Sequence, residues 1–442
     1  MKRFGLILMS LMLLFSFALA ACSSSEEGGE AGEGTPEAPA DGGEEATPET
    51  PEGVIELTFA SIANTGFGPL IEKYNAENEN VQINFQEQSF DDHHNAFATA
   101  LAAGSGVPDI AFVEIGRLEG FKASQDSFTN LYDFGAKDVT GIYLDWKIAQ
   151  AENADGSFLF GLPTDIGPMA MAYRTDIFEE AGLPTDPNEV SALITDWDKY
   201  IEVGKTVLEK TGKPMSDSAG TMFDTFTGQL TELYFTADDE LILESNAAVK
   251  EAYDRSIEIA QSGLSAKLGQ WSGEWSTGMN EGTFATLMAP AWMMNYMTGS
   301  APDASGKWNI AQMPVASGNW GGSFLTVPAS TEYPQEAYDF IEWLVNEENS
   351  YEVFKETGNF PSIPGIYEKP EIQDWTSEYF SGAYVGKIYA EAALRIQPVW
   401  LGTDYATVHN ALKDAINNVD LNGADPEAAW NEAMDTIKRE LR

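Results

Sequence analysis

Cysteine is almost absent from this chain: Cys22 is the one thiol among 442 residues. A disulfide framework and a cysteine-built zinc site are therefore excluded within a single copy. Histidine is nearly as scarce, with only His93, His94 and His409. Neither a metal nor another cofactor is expected, and imidazole catalysis is disfavoured, while carboxylate chemistry stays open. His93-His94 lies at a predicted helix start and reads as surface. Basic residues are few: Lys and Arg total 24 against 70 Asp and Glu, a formal charge of -46. Nucleic acid is excluded as a partner, because cationic side chains must meet its phosphates. The same balance disfavours anionic membrane surfaces and polyanionic substrates. There is no GxxxxGK[ST] loop, no Gly-x-Ser-x-Gly elbow, no His-Glu-x-x-His and no calcium-loop pattern. Gly104 and Gly106 end a predicted helix rather than open one, which argues against a phosphate cradle.

What is present begins with an address. Lys2 and Arg3 precede an apolar run over residues 6–18, too short to span a bilayer. The run ends in Leu19-Ala20-Ala21-Cys22, which resembles the lipobox of bacterial lipoproteins. In that motif cleavage falls just before the cysteine and the thiol is lipidated. Ala18-x-Ala20 also fits an ordinary secretory cleavage site, but the sole cysteine stands at the lipobox position. Residues 1–21 are thus expected to be a signal peptide and Cys22 a lipid anchor. Residues 23–53 carry ten acidic residues and no basic one. They lack the apolar content for a core, so a disordered acidic tether over 22–53 is predicted.

The body opens with alternating elements. Strands are predicted over 54–59, 81–86 and 110–113, with helices over 69–78 and 89–103 between them. Strand–helix alternation is the signature of a parallel sheet covered by helices. Ligands of such sheets lie beyond the carboxyl ends of strands. Those ends are Ser61 to Asn64, Glu87 to Ser89, and Glu114 to Arg117. Residues 158–184 then read as strand, polar kink, strand and short helix, with Asp165 at the kink. Such a step suits a chain leaving one body for another. Helices follow over 195–210, 246–261 and 334–346, from 403, and from 426. Short strands are expected over 240–243, 283–288, 307–314 and 324–327.

Aromatic residues make up 12% of the chain, with eleven tryptophans. Trp271, Trp275, Trp292 and Trp320 stand in loop contexts beside Gly, Ser and Asn. The apolar C–H face of a sugar ring stacks on an indole, and its hydroxyls need short-range donors and acceptors. A neutral ligand also suits an acidic protein. Paired carboxylates offer the alternative of an extracellular carbohydrate-active enzyme, with Glu87, Glu114 and Asp165 as candidates. No spacing singles out an acid and its nucleophile.

Lipobox, tether and body together resemble the family 1 extracellular solute-binding proteins of ABC importers, the sugar-binding group that includes maltose-binding protein. The resemblance is carried by Leu101-Ala-Ala-Gly-Ser-Gly-Val-Pro-Asp-Ile110, Gly161-Leu-Pro-Thr-Asp165, residues 173–183, Ala289-Pro-Ala-Trp292 and Gly321-Gly-Ser323. It implies an α/β fold of two lobes, each a sheet flanked by helices, joined by hinge crossings around a ligand cleft. The lobes would be 54–163 plus 310–346, and 164–309 plus 347–442. The implied ligand positions are Ser61 and Asn64, Glu114 and Arg117, Asp165, and Trp292, although Ala291 interrupts the family's Gly-Pro-Trp; Glu87, at a strand's carboxyl end, joins them from the sheet reading. Trp271, Trp275, Trp320, Gly322, Ser323 and Tyr405 complete the candidate set. The implied role is a monomeric, lipid-anchored protein on the outer face of the bacterial cell membrane. It would capture a neutral sugar or oligosaccharide, hand it to a permease, and perform no chemistry on it. A peptide, polyol or acidic oligosaccharide is the third reading, kept open by Arg117.

Overall fold

The computed structural model describes residues 53–442, apart from 237 and 398. The signal peptide, Cys22 and the tether up to residue 52 lie outside the described residues.

Two sheets organise the body. The first has five strands in the order β2-β1-β3-β9-β4. They are β1 (Ile55–Ile62), β2 (Val81–Gln88), β3 (Ile110–Glu114), β4 (Gly161–Pro163) and, late in the chain, β9 (Ser323–Thr326). β1 runs parallel to both β2 and β3, and β9 is antiparallel to β3 and β4. The expected alternation is what builds it. The helix Gly68–Glu77 links β1 to β2, and the helix Phe90–Ala103 links β2 to β3. Ser89 caps the second helix by accepting from the Asp92 amide, and Gly104 ends it at φ +62°. Phe59 is fully buried and packs against Phe67, Phe85 and Phe340.

The second sheet has three antiparallel strands, with β6 (Met169–Arg174) between β7 (Thr286–Pro290) and β8 (Trp308–Ala311). Every residue of β6 is buried. Met169, Met171 and Tyr173 join the second lobe's own core. Ala170 and Ala172 turn the other way, into the cluster that extends from the first lobe. The two-residue period of a strand thus serves both layers.

The lobes are joined where the sequence kinks. Between β4 and β6 the chain forms β5 (Asp165–Ile166), which pairs antiparallel with β10 (Phe360–Pro361). A Cβ on Gly167 would meet the Trp320 carbonyl oxygen at 1.8 Å, so only glycine lets the two backbones pass.

Later crossings were expected near Ile310 and Asn346. Ile310, where the return was expected, pairs with Ala172 inside the second sheet, and the chain rejoins the first sheet at Ser323. A short buried strand carries the same apolar signature in either sheet. Asn346, expected to mark the last departure, caps the helix Glu347–Thr357 by accepting from the Asn349 amide. A cap and a lobe boundary look alike in sequence, since both break a helical pattern. Residues 240–243, expected as a strand, supply a single bridge, Phe235 to Leu241. Among the described residues no helix is long and apolar enough to cross a membrane.

Candidate functional site: the cleft between the lobes

A cavity of about 290 Å³ opens between the lobes. The first lobe contributes Glu114 and Gly116 after β3, and Trp146 and Gln150 from the helix Asp145–Ala151. The second lobe contributes Asp224, Tyr405, His409 and Lys413. Asn319, Trp320 and Gly321, on the return passage, line it between the two.

Glu114 ends β3 and caps the next helix, its carboxylate accepting from the Gly116 amide at 2.7 Å. Enclosure in the cleft pushes its pKa up to about 7, and the Gly116 bond and the Lys147 charge only partly oppose that rise. His94 fixes its backbone. The Glu114 amide donates to His94 Nε2 at 3.2 Å, while His94 Nδ1 lies 2.8 Å from the Phe90 carbonyl. The ring must therefore accept at Nε2 and donate at Nδ1, which makes it neutral. Burial, which lowers its pKa to about 4, favours the same form. His93 meets the Phe112 carbonyl at 2.6 Å. Both histidines are buried rather than on the surface as expected, because their helix packs its inner face on the first sheet.

Asp165 accepts from Thr164 Oγ1 at 2.6 Å and from the Ser323 amide at 3.1 Å. Burial raises its pKa, against those bonds and the charge of Lys147. Lys147 is fully buried. Its ammonium lies 3.9 Å from the centroid of the Phe324 ring and has no hydrogen-bond partner among the described residues. Burial lowers its pKa to about 7, and Asp165 and Glu114 pull the other way.

On the opposite wall, Asp224 accepts from Lys413 at 2.6 Å and meets His409 Nε2 at 2.9 Å. Burial would raise the Asp224 pKa, but these two partners outweigh it and hold the carboxylate below its ordinary range. His409 Nδ1 meets the Tyr234 hydroxyl at 2.8 Å, and the Tyr405 ring stacks on His409 at 5.0 Å. This wall therefore presents a carboxylate and an ammonium side by side next to an aromatic face.

The indoles gather beside Trp320. Trp271 and Trp292 stack with planes 20° apart and centroids 5.9 Å apart, and Trp320 stands edge-on to Trp292 at 5.6 Å. Trp271 is 51% exposed. Its backbone is left-handed, at φ +68°. Trp292 Nε1 donates to the Trp320 carbonyl at 3.0 Å, which ties the return passage to the cluster.

The candidates thus divide. Glu114, Trp320 and Tyr405 line the cavity. Asp165, Gly322, Ser323, Trp271 and Trp292 do not line it: the first three meet at the crossing, where the Ser323 amide donates to Asp165, and the two indoles stack on each other beside Trp320. Trp275 is in neither group. It lies in the helix Gly273–Glu281, fully buried, with Nε1 donating to Asp217 at 3.0 Å. Ser272 caps that helix, so the Ser/Gly-rich loop ends sooner than its composition suggests. Arg117 pairs with Asp91 at 2.9 Å and lines a side groove with Tyr405. Ser61 is fully buried, while Asn64 and Glu87 are exposed. These last three do not line the cavity. Sequence reasoning missed Trp146, Lys147, Gln150, Asp224, His409 and Lys413. The four-residue spacing of Tyr405, His409 and Lys413 along one helix face was a legible signal; nothing local marks Asp224. Among the described residues no cluster of metal-ligating side chains occurs.

Two lobes, a hinge and a cleft lined by aromatic faces and paired polar groups define a binding protein for a small polar solute. The model of the bacterial extracellular solute-binding protein family matches residues 69–378, and the chain belongs to that family. A crystal structure described as extracellular solute-binding protein family 1 is 34% identical over 87% of this chain and 99% of its own, with a TM-score of 0.84. The arabinooligosaccharide-binding protein of Bacillus subtilis (strain 168) is 24% identical over 94% of each chain. That of Halalkalibacterium halodurans is 26% identical, over 88% of this chain and 91% of its own.

Proposed function

We propose that the cleft captures a neutral oligosaccharide, with arabino-oligosaccharides the first class to test, and delivers it to an ABC permease. The observation that carries this reading is the set of aromatic rings, Trp146, Trp320 and Tyr405, that line one interlobe cavity together with Glu114, Asp224 and Lys413. Indole faces suit the C–H side of a sugar ring, and a carboxylate beside an ammonium suits neighbouring hydroxyls. The relatives named above support the same ligand class. Ligand contact with both walls favours the closed form by its differential affinity, with the 163–167 crossing as hinge. Cys22 is proposed as the lipid anchor and the acidic segment as a spacer holding a monomeric body off the outer face of the membrane. The ligand leaves unchanged, since the site offers binding groups and no assigned acid–nucleophile pair.

The test is a tryptophan-fluorescence titration of the protein with arabino-, xylo-, cello- and malto-oligosaccharides, with chromatography of the sugars afterwards. Saturable change with at least one series and intact sugar is expected. No change with any of them, or the appearance of shorter sugars, contradicts the reading.

A further inference from the structure

A fully buried ammonium without a hydrogen-bond partner is a costly arrangement that the fold alone does not require. Lys147 is such a group. It lies at the point where several candidate positions converge. A Cβ on Gly322 would stand 2.9 Å from its Nζ and 2.7 Å from the Asp165 carbonyl, so the turn leading into β9 closes directly over it. Phe324, on that same strand, covers it with its ring. The charged groups that face it are Asp165 from β5 and Glu114 from the end of β3. Around Glu114 in turn stand Arg117 and, from the second lobe, Tyr405.

We propose that Lys147 is a positioning residue of the sugar cleft: from behind the Gly321–Gly322 turn, its ammonium holds the carboxyl groups of Glu114 and Asp165 in the acceptor form that ligand hydroxyls need. Two carboxyls enclosed together oppose each other's ionisation, and a nearby cation offsets that repulsion. A hydrogen-bonded ion pair would engage the carboxylate oxygens directly. An ammonium held over an aromatic ring supplies the field without adding a bond of its own to those oxygens, which already accept from Thr164, Ser323 and Gly116 through one oxygen of each carboxyl. The proposal rests on the sugar-cleft reading for its ligand; its charge relationship rests on the buried ammonium beneath the Gly322 turn that also meets Asp165, and on the pull of both carboxyls on that ammonium.

Lys147→Met keeps the length of the stem and removes the charge. In the ligand-free full chain, carbon-13 carboxyl spectra assigned with Glu114→Gln and Asp165→Asn follow the two titrations. Both midpoints should rise by about one unit or more in the variant; unmoved midpoints overturn the proposal. Calorimetry with arabinotriose should show binding weakened about tenfold near pH 7 and recovering towards wild type near pH 9, as the carboxyls ionise. Equal weakening at every pH would mean lost packing and also overturns it. If wild type binds no sugar, the sugar reading fails, and the carboxyl titration still decides the role of Lys147.

Discussion

Trp292 donates its indole N–H to the carbonyl of Trp320 at 3.0 Å. The bond joins residues 28 positions apart and sets two indoles nearly perpendicular, at 77°. One ring comes from the helix entry after β7 and the other from the return passage, so the aromatic surface exists only where those two segments meet.

Trp320→Ala and Trp292→Ala should each weaken sugar binding by about 1 to 2 kcal/mol, as expected for removal of a packed aromatic contact. Calorimetric dissociation constants measure this directly. Affinity unchanged in both variants would remove the indole cluster from the site.

Trp275→Phe should behave in the opposite way. The ring is fully buried and its N–H satisfies the buried Asp217 carboxylate. Loss of that donor should destabilise the fold by about 1 to 3 kcal/mol, with sugar affinity unchanged in the folded protein. Urea unfolding together with fluorescence titration separates the two effects. Weak binding with unchanged stability would return Trp275 to the ligand surface.

The contrast between these tryptophans shows what the chain reveals of itself. The α/β alternation of residues 54–113, the kink at Asp165 and the loop position of Trp320 are local patterns, and all were legible. Burial of Trp275 was not, because its partner Asp217 lies 58 residues away. Lys147 was equally hidden. No element was read over its helix, Asp145–Ala151, and the lysine is covered by Phe324 from β9, far along the chain. The sheet that Ile310 joins was hidden as well, because strand pairing over long separations, rather than local pattern, decides it.

Gly322→Ala should loosen the hinge side of the cleft. The glycine sits at φ +90°, and an added Cβ would meet the Asp165 carbonyl and the Lys147 ammonium inside contact distance. Left-handed strain and overpacking together should cost about 2 kcal/mol or more of stability. A melting temperature equal to wild type would show that the turn tolerates a side chain.

The pH dependence of Glu114 has a defined sign. Its folded-state pKa is raised from 4.5 to about 7. Between those values the folded chain holds a proton that the unfolded chain has lost, so this group favours the folded state less as pH rises across the window. Glu114→Gln should therefore gain stability relative to wild type on going from about pH 5 to about pH 8. Sugar affinity of the wild type should fall as pH drops through 7, when the carboxyl takes up its proton and stops accepting. Melting curves and affinities at both ends of the range check the two statements; a pH-independent difference between variant and wild type contradicts them.

The central claim is that the interlobe cleft binds a sugar and leaves it intact. Isothermal calorimetry of the full chain with arabinotriose and the xylo-, cello- and malto- series, beside the Trp320→Ala variant, addresses it most directly. The predicted result is saturable heat with one sugar bound per chain, reduced in the variant, with the sugar recovered unshortened. No heat with any series, equal heat in the variant, or recovery of cleaved sugar would contradict it.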